Sequence, residues 1–576
     1  MKLLIKKSLL ILGTFKNRLP LMFFLFLIVS MIDVIGIGMI GPFVALLGYS
    51  GSIVSEYPIF LFLLGDVENQ TIIIALGVLL SSIFILKGFV AFFVQRKILS
   101  LGYEIRTSIV EKLVKSYQES SYENISNKDT SAIVVNANTH VGLYIDSIFV
   151  PALRMSIEVI VIIGIFILMA FTSFILVLVA SALMTIVLTI YFKFIRSRLS
   201  YYGRIMSKKE ASIISELKHV IGAFREIRLL GVENFFRNEI KKDVIEFGKA
   251  GVITRSLHLI SRYVVESTLV IFVVALVILM VSQSESIGSI YSMLSVFAVG
   301  SLRLVPSFSA VGAGLANIKT ATYAMDSLYD EIVIINESVE NSADMDSGIS
   351  MDFNSVELKN VSYSYKSNDN YQVLKGINLS IKKGSFIAIS GKSGAGKSTL
   401  LDIMTGMLQP TRGNLLVNNI QIMTQASIHS WQQKCAFIPQ NVFLINSSIK
   451  KNIALGLDHD DIDYAKLQLA ISAANLDQVL VQNDMDIDSY VGEGGVRLSG
   501  GQRQRVALAR ALYAEREVIF MDEATSALDK ETEDEVMTHI ESLRGKITII
   551  LISHSQSALK NCDQVFQMAN GRLTNT

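Results

Sequence analysis

Cysteine is nearly absent: 576 residues hold only Cys435 and Cys562. Two thiols, both in the C-terminal half, do not make a disulfide framework, and they fit a reducing compartment for that half. Charge is also scarce. Charged residues make up 18% of the chain and hydrophobic ones 51%, whereas a soluble domain carries about 25% charged residues. The formal net charge is +1, so bulk electrostatics give no reason to expect a nucleic-acid partner. The shortage of charge is uneven. Long apolar runs lie before about residue 320, and turn-rich, mixed sequence lies after it. A chain of this length and asymmetry is expected to hold at least two domains.

A helix needs about 20 apolar residues to cross roughly 30 Å of hydrocarbon. Six stretches qualify, at 19–47, 71–94, 149–171, 174–192, 259–281 and 287–311. Loop charge orients them. The segment 48–70 has Glu56, Asp66 and Glu68 but no Lys or Arg, while the N-terminus has Lys2, Lys6, Lys7, Lys16 and Arg18. The segments 96–147 and 193–258 are basic as well. Both termini are therefore expected on the cytosolic side, and six spans satisfy that parity. The opening run MKLLIKKSLLILGTFKNRLP has no cleavage site before the next apolar run and reads as an amphipathic helix on the inner membrane face. The two basic inner segments, about 50 and about 65 residues long, are too long for turns. They predict helices that extend into the cytosol and return through a short crossing helix. The outer loop contains YPIFLFLLG, either a small interfacial helix or an ordinary loop.

This predicts an N-terminal all-α transmembrane domain of six helices over 1–325, a linker over 326–351, and a C-terminal α/β P-loop domain over 352–576. The linker is marked by the polar, acidic run NESVENSADMDSGIS.

The C-terminal part carries the sharpest signal. Gly391, Lys392, Ser393, Gly394, Ala395, Gly396, Lys397 and Ser398 follow the apolar run SFIAIS, and Thr399 opens the helical run TLLDIMTGML. Strand, glycine-rich loop and helix in that order form a phosphate cradle rather than a chance glycine cluster. Glycines let backbone N–H groups wrap phosphates, and the helix N-terminus adds positive potential. Lys397 is placed to reach the β- and γ-phosphates, and Ser398 to ligate Mg²⁺. A second apolar run, VIFM, ends in Asp522 and Glu523. Asp522 is placed to hold Mg²⁺, and Glu523 to polarise an attacking water.

Further residues carry a family resemblance. Tyr365 follows VSYS, Gln440 follows AFIP, Leu498-Ser-Gly-Gly-Gln502 precedes RQRVALARAL, Ser526-Ala-Leu-Asp529 follows the carboxylates, and His554 follows ITIILIS. In order and spacing, over about 220 residues, they resemble the ATPase domain of ABC transporters. The resemblance implies ATP and Mg²⁺ as cofactors. It implies that Tyr365 stacks on adenine, where the plain alternative is a strand aromatic. It implies that Gln440 contacts Mg²⁺ and the attacking water, and that His554 touches the γ-phosphate. It implies that Ser499, Gly500, Gly501 and Gln502 contact ATP held by a second copy, with Asp529 across the same interface. The run Val491-Gly-Glu-Gly-Gly495 resembles the segment that exporters place against the membrane domain. One ATPase domain per chain then implies a dimer. Because no motif is degenerate, a homodimer suffices, although a heterodimer stays open.

Six spans fused ahead of one ATPase domain resemble ABC exporters, whose implied mechanism is alternating access driven by ATP, and the lack of transit or eukaryotic targeting signals fits a bacterial inner membrane. Leu230-Gly-Val-Glu-Asn-Phe-Phe236 and Ser121-Tyr-Glu-Asn124 resemble the crossing helices of that family. The runs IDVIGIGMIGPFVALL and SLRLVPS, with the short apolar outer segment, resemble bacterial flippases of lipid-linked oligosaccharides. That implies an anionic lipid cargo, with export of other lipids, drugs or peptides as the alternative. An ATP-gated channel or regulator is the competing class, and a soluble ABC ATPase is the third.

Charges inside spans are costly and mark function. Arg154 and Glu158, and Arg262 and Glu266, are spaced to pair one turn apart. Asp33, Lys87 and Arg303 have no opposite charge within four residues. Lys87 and Arg303 each lie about 16 residues from the outer end of a span, about 24 Å inward. Lys87, Arg262, Arg303 and Asp33 are therefore the candidate substrate residues. The alternatives are snorkelling to the inner interface and pairing of the cations with Asp33.

Overall fold

Apolar stretches without breakers become helices far longer than a bilayer requires. The computed structural model describes residues 2–47, 69–126, 128–171, 174–282, 287–341, 352–365, 371–482, 484–524, 530–560 and 562–575. The chain divides into two units. The first is Met1–Glu119 with Lys128–Glu337, and the second is Ser120–Asn127 with Ser338–Thr576.

The first unit is helical. Asn69–Glu119 runs 51 residues, Phe174–Gly222 runs 49 and Glu233–Ser282 runs 50. At 1.5 Å per residue each is about 75 Å long, more than twice the thickness of a bilayer core. The expected continuation of spans into long polar extensions is present. Five described helices are long and apolar enough to cross a membrane: Leu3–Ile40, Ile73–Glu119, Thr130–Ala170, Phe174–Gly222 and Glu233–Ala275. The sixth expected span falls within the helix Ile287–Thr320, which is not among those five. The N-terminal helix Lys2–Leu12 is also present. It is tied down where Lys7 pairs with Asp326 at 2.6 Å and Ser8 Oγ meets the Tyr144 hydroxyl at 2.8 Å.

Between Phe174–Gly222 and Glu233–Ser282, the helix Phe224–Leu230 ends at Gly231, whose φ of 67° makes a left-handed cap. Beside this turn Phe224, Leu229, Leu230 and Phe235 are exposed. The extensions are clamped by Lys209, which reaches Asp243 at 2.6 Å and Glu246 at 2.8 Å. The helix Thr322–Asn341 covers the first part of the stretch read as a linker. Residues 342–350 and the outer YPIFLFLLG segment lie outside the described residues.

The second unit is α/β. Its first sheet is antiparallel, with strand order β2-β1-β4-β5. These strands are β1 (Ser355–Tyr363), β2 (Leu374–Lys382), β4 (Arg412–Val417) and β5 (Ile420–Gln421). The second sheet has order β10-β9-β3-β8-β7-β6. It contains β3 (Phe386–Ser390), β6 (Cys435–Ile438), β7 (Val518–Asp522), β8 (Thr548–Ile552), β9 (Gln564–Ala569) and β10 (Arg572–Asn575). From β9 to β6 it is parallel. Its central strands read as unbroken apolar runs because helices cover both faces. All five residues of β8 are buried. The register brings Ile389 of β3 and Asp522 of β7 level with Ile552 of β8. Several carboxyl ends therefore stop in one line, and an open parallel sheet offers its ligand crevice along that line.

Candidate active site

Each strand ending on that line hands over one chemical group. β3 delivers the glycine-rich loop, β6 leads to Gln440, β7 ends in Asp522 and Glu523, and β8 leads to His554. The loop can take its shape only with glycine at key positions. Gly391 sits at φ 152°, and a Cβ there would lie 2.3 Å from the Met568 carbonyl oxygen. Gly396 sits at φ 103° as the residue before the helix Lys397–Met404, with Leu374, Met568 and Val373 atoms 3.0–3.2 Å from any added Cβ. The backbone is thus forced to turn its amides inward at a helix N-terminus, an arrangement that suits phosphate.

Lys397 is buried, and its ammonium donates to the Gly391 carbonyl at 2.7 Å and the Lys392 carbonyl at 3.3 Å. It also lies 3.1 Å from His554 Nε2 and 3.8 Å from Glu523 Oε1. Gln440 donates its amide to Glu523 Oε2 at 2.8 Å, and His554 Nε2 stands 3.5 Å from Glu523 Oε1. Glu523 adopts φ 47°, while its N–H donates to the Ile552 carbonyl at 3.0 Å. The left-handed backbone is the cost of lifting this carboxylate off the strand end. Ser398 hydrogen-bonds Asp522, whose carboxyl is pushed up by burial and by the neighbouring Glu523 charge.

Lys397, Ser398, Gln440, Asp522, Glu523 and His554 therefore meet in one cluster. Tyr365 lies beside it, exposed, with its hydroxyl 3.2 Å from Thr399 Oγ1 and its ring 5.0 Å from that of Tyr363, edge-on. Ser499 is the N-cap of the helix Gly500–Tyr513 and forms a capping box with Gln502. Ser499 Oγ accepts from the Gln502 N–H at 3.3 Å, and Gln502 Oε1 accepts from the Ser499 N–H at 2.8 Å. Among the described residues no hydrogen bond or ion pair joins Ser499, Gly500, Gly501 or Gln502 to the Lys397 cluster. Asp529 lies outside the described residues.

One residue escaped the sequence reading. Asp402 follows Ser398 by one helical turn, and its carboxyl is raised to about 6 by burial and then by the charge of Asp522. The i,i+4 spacing from Ser398, the serine expected to ligate Mg²⁺, was the available signal. The acidic surroundings and the amide-lined loop fit MgATP. Ser398, Asp522 and Gln440 are the groups that would hold the metal.

The membrane candidates fare differently. Lys87 pairs with Asp33, and Arg303 pairs with both Asp33 at 2.8 Å and Glu158 at 3.2 Å. The expected Arg154–Glu158 turn pair is corrected. Glu158 accepts instead from the Ser307 hydroxyl at 2.6 Å, and Arg154 faces the Gln95 amide. The partners across the bundle are nearer than the one along the helix. Arg262 and Glu266 are exposed, and among the described residues no ion pair joins them.

A phosphate loop and paired carboxylates at parallel strand ends, fused to an apolar helical unit, define a membrane protein with its own ATPase domain. Residues 374–526 match the family model described as ABC transporter. The chain is 36% identical over 218 residues to an ATP-dependent lipid A-core flippase of Saccharophagus degradans, 38% of this chain and 36% of that relative. It is 25% identical over 484 residues to the flippase of the same name from Ralstonia nicotianae, 81% of this chain and 78% of that one. It is 30% identical over 369 residues to the heterocyst differentiation ATP-binding protein HepA of Nostoc sp., 64% of this chain and 59% of that one. The match spans little more than a third of the length of the Saccharophagus degradans relative and of a flippase of the same name from Paraburkholderia xenovorans. A bacterial Atm1-family ABC exporter solved with ATP bound has the same fold, with a TM-score of 0.75 at 19% identity over 95% of this chain and 94% of that one. Residues 374–526 thus belong to an ABC transporter ATPase domain, joined in one polypeptide to a unit of helices long and apolar enough to cross a membrane, and the whole has the fold of an ABC exporter.

Proposed function

We propose that the chain works as a dimer, two copies of itself, that hydrolyses ATP to move an anionic lipid-linked saccharide from the inner to the outer side of a bacterial inner membrane. The observation that carries this reading is the convergence of Lys397, Asp522, Glu523, Gln440 and His554 at one line of strand ends in a chain that also bears the apolar helices.

In this reading Glu523 accepts the proton of the attacking water, and Gln440 holds that carboxylate in place through its amide. Lys397 leaves its loop carbonyls for the phosphates, and His554 donates toward the γ-phosphate. When bound, Mg²⁺ supplies charge neutralisation at the phosphates. Tyr365 faces the adenine. Ser499, Gly500, Gly501 and Gln502, with Asp529, act on the nucleotide of the other copy. The capped, amide-bearing start of the Gly500–Tyr513 helix suits that task. The exposed Phe224, Leu229, Leu230 and Phe235 are apolar enough to dock on the partner's ATPase domain. ATP binding shifts the membrane domain outward only through a higher affinity for the closed dimer.

The names of the flippase relatives support a lipid cargo, and the cations Lys87 and Arg303 support an anionic one. The test is ATP-dependent flipping of a polyprenyl-pyrophosphate oligosaccharide in liposomes holding the purified chain. Flipping by the wild type, and none by Glu523→Gln, is the expected result. ATP hydrolysis with no movement of this lipid would discard the cargo.

A further inference from the structure

Four helices of the first unit bring their charges to one place. Asp33, on Leu19–Leu47, is 2% exposed. One of its carboxylate oxygens meets the Lys87 ammonium from Asn69–Glu119. The other accepts from Arg303 Nε at 2.9 Å, and Arg303 belongs to Ile287–Thr320. Arg303 Nη2 also lies 3.2 Å from Glu158 Oε2 on Val150–Ala170. Ser307, fully buried, completes the ring. It accepts from Arg303 Nη1 at 2.9 Å and donates to Glu158 Oε2 at 2.6 Å. Two cations face two carboxylates, so the cluster is neutral.

That neutrality matters for an anionic cargo. A headgroup brought here meets no spare positive charge, because both cations are already engaged. In a poorly solvated interior an unpaired carboxylate is strongly disfavoured, so the resident pairs persist until something of comparable charge replaces them. A carboxylate fixed on the Leu19–Leu47 helix also has a high effective concentration at Lys87 and Arg303, whereas a diffusible headgroup competes only at its own concentration in the membrane. The two compete for the same cations, and whichever conformation of the helices brings Asp33 back favours the carboxylate.

We propose that Asp33 is an internal competitor of the cargo. It yields Lys87 and Arg303 to a headgroup of at least two negative charges while the helices are parted, and it expels that headgroup when they close. Glu158 acts as the second counter-ion and keeps Arg303 oriented through Ser307. The site thus selects phosphate or pyrophosphate headgroups over singly charged ones, and cargo release follows from re-forming an ion pair already present in the chain. This inference rests on the reading of the chain as an exporter of an anionic lipid.

The experiment uses the full chain in proteoliposomes with geranylgeranyl pyrophosphate as the probe. The lipid concentration that half-maximally stimulates ATP hydrolysis and the rate of lipid flipping per ATP are both measured. Asp33→Asn should lower the half-stimulating concentration about tenfold, the size of an ordinary coupling between two ligands of one site. It should also lower the lipid moved per ATP, because release is impaired. Asp33→Glu, which keeps the charge, should stay near the wild type. Should Asp33→Asn fail to fold, Glu158→Gln gives the same reading with a shift in the same direction. An unchanged or raised half-stimulating concentration in the folded variants overturns the proposal and leaves Asp33 as a structural tie alone. A wild type that hydrolyses ATP yet ignores the pyrophosphate lipid overturns the cargo reading, and the competitor with it.

Discussion

At the strand ends of the second unit Asp402, Asp522 and Glu523 stand against a single lysine, Lys397. In the first unit Asp33 and Glu158 stand against Lys87 and Arg303. The first cluster has an excess of carboxylate, and burial and mutual repulsion lift Asp402 and Asp522 above their ordinary values. The second is balanced, and every charge in it has a partner on another helix. An unbalanced acidic site at an open crevice is built to receive a divalent cation with its phosphates. A balanced site in an apolar bundle is built to hold its own shape until a ligand trades places with one of its members.

The largest expected effect tests the unbalanced site. Glu523→Gln removes the proposed general base, and ATP turnover should fall by about 10²–10⁴-fold while ATP still binds. Steady-state hydrolysis alongside nucleotide binding measures both. Equal loss of binding and turnover would make Glu523 a binding group instead. The balanced site should respond through stability. Arg303→Ala leaves Glu158 without its cation and should cost about 3–5 kcal/mol in thermal unfolding. Lys87→Ala should cost less, because Asp33 keeps Arg303. Equal costs would mean that the two cations are not arranged as described.

Two smaller effects sharpen the contrast. Ser499→Ala removes the capping box of the Gly500–Tyr513 helix and should lower the stability of the ATPase unit by about 1 kcal/mol. Circular dichroism on heating measures it. Asp402 should leave a pH signature in the nucleotide-free protein. Its folded carboxyl lies at about 6 against an ordinary 3.8, so the folded state holds a proton that the unfolded chain releases. That contribution is fully present below about pH 4 and is lost as pH rises through about 6. Asp402→Asn should flatten this part of the melting profile, and an unchanged slope would place the titration elsewhere.

The ATP site was largely legible in the sequence, because its chemistry is tied to the residue order itself. A strand must end where the glycines begin, and Lys397 must start the next helix. The same logic located Asp522 and Glu523, whereas Gln440 and His554 came from the resemblance to ABC ATPase domains. Asp402 was missed because a carboxylate in a helix reads as a solvated face until the neighbouring strand is seen to approach it. Of the membrane cluster, the pairing of Lys87 and Arg303 with Asp33 was legible as an alternative, and the place of Glu158 was not. Local spacing gave Glu158 to Arg154, whereas packing gave it to Arg303 and Ser307. Contacts between residues 33, 87, 158 and 303 depend on how four helices assemble, and no local period encodes that. Apolar length and charge parity give six spans; five described helices meet the length and hydropathy for crossing, and the sixth expected span falls within Ile287–Thr320.

The most direct test measures ATP consumed and lipid moved in the same proteoliposomes, across a range of ATP concentrations. The account predicts that the two rates rise together in a fixed ratio and that both vanish in Glu523→Gln. ATP consumption that climbs while lipid movement stays at the protein-free rate would contradict it.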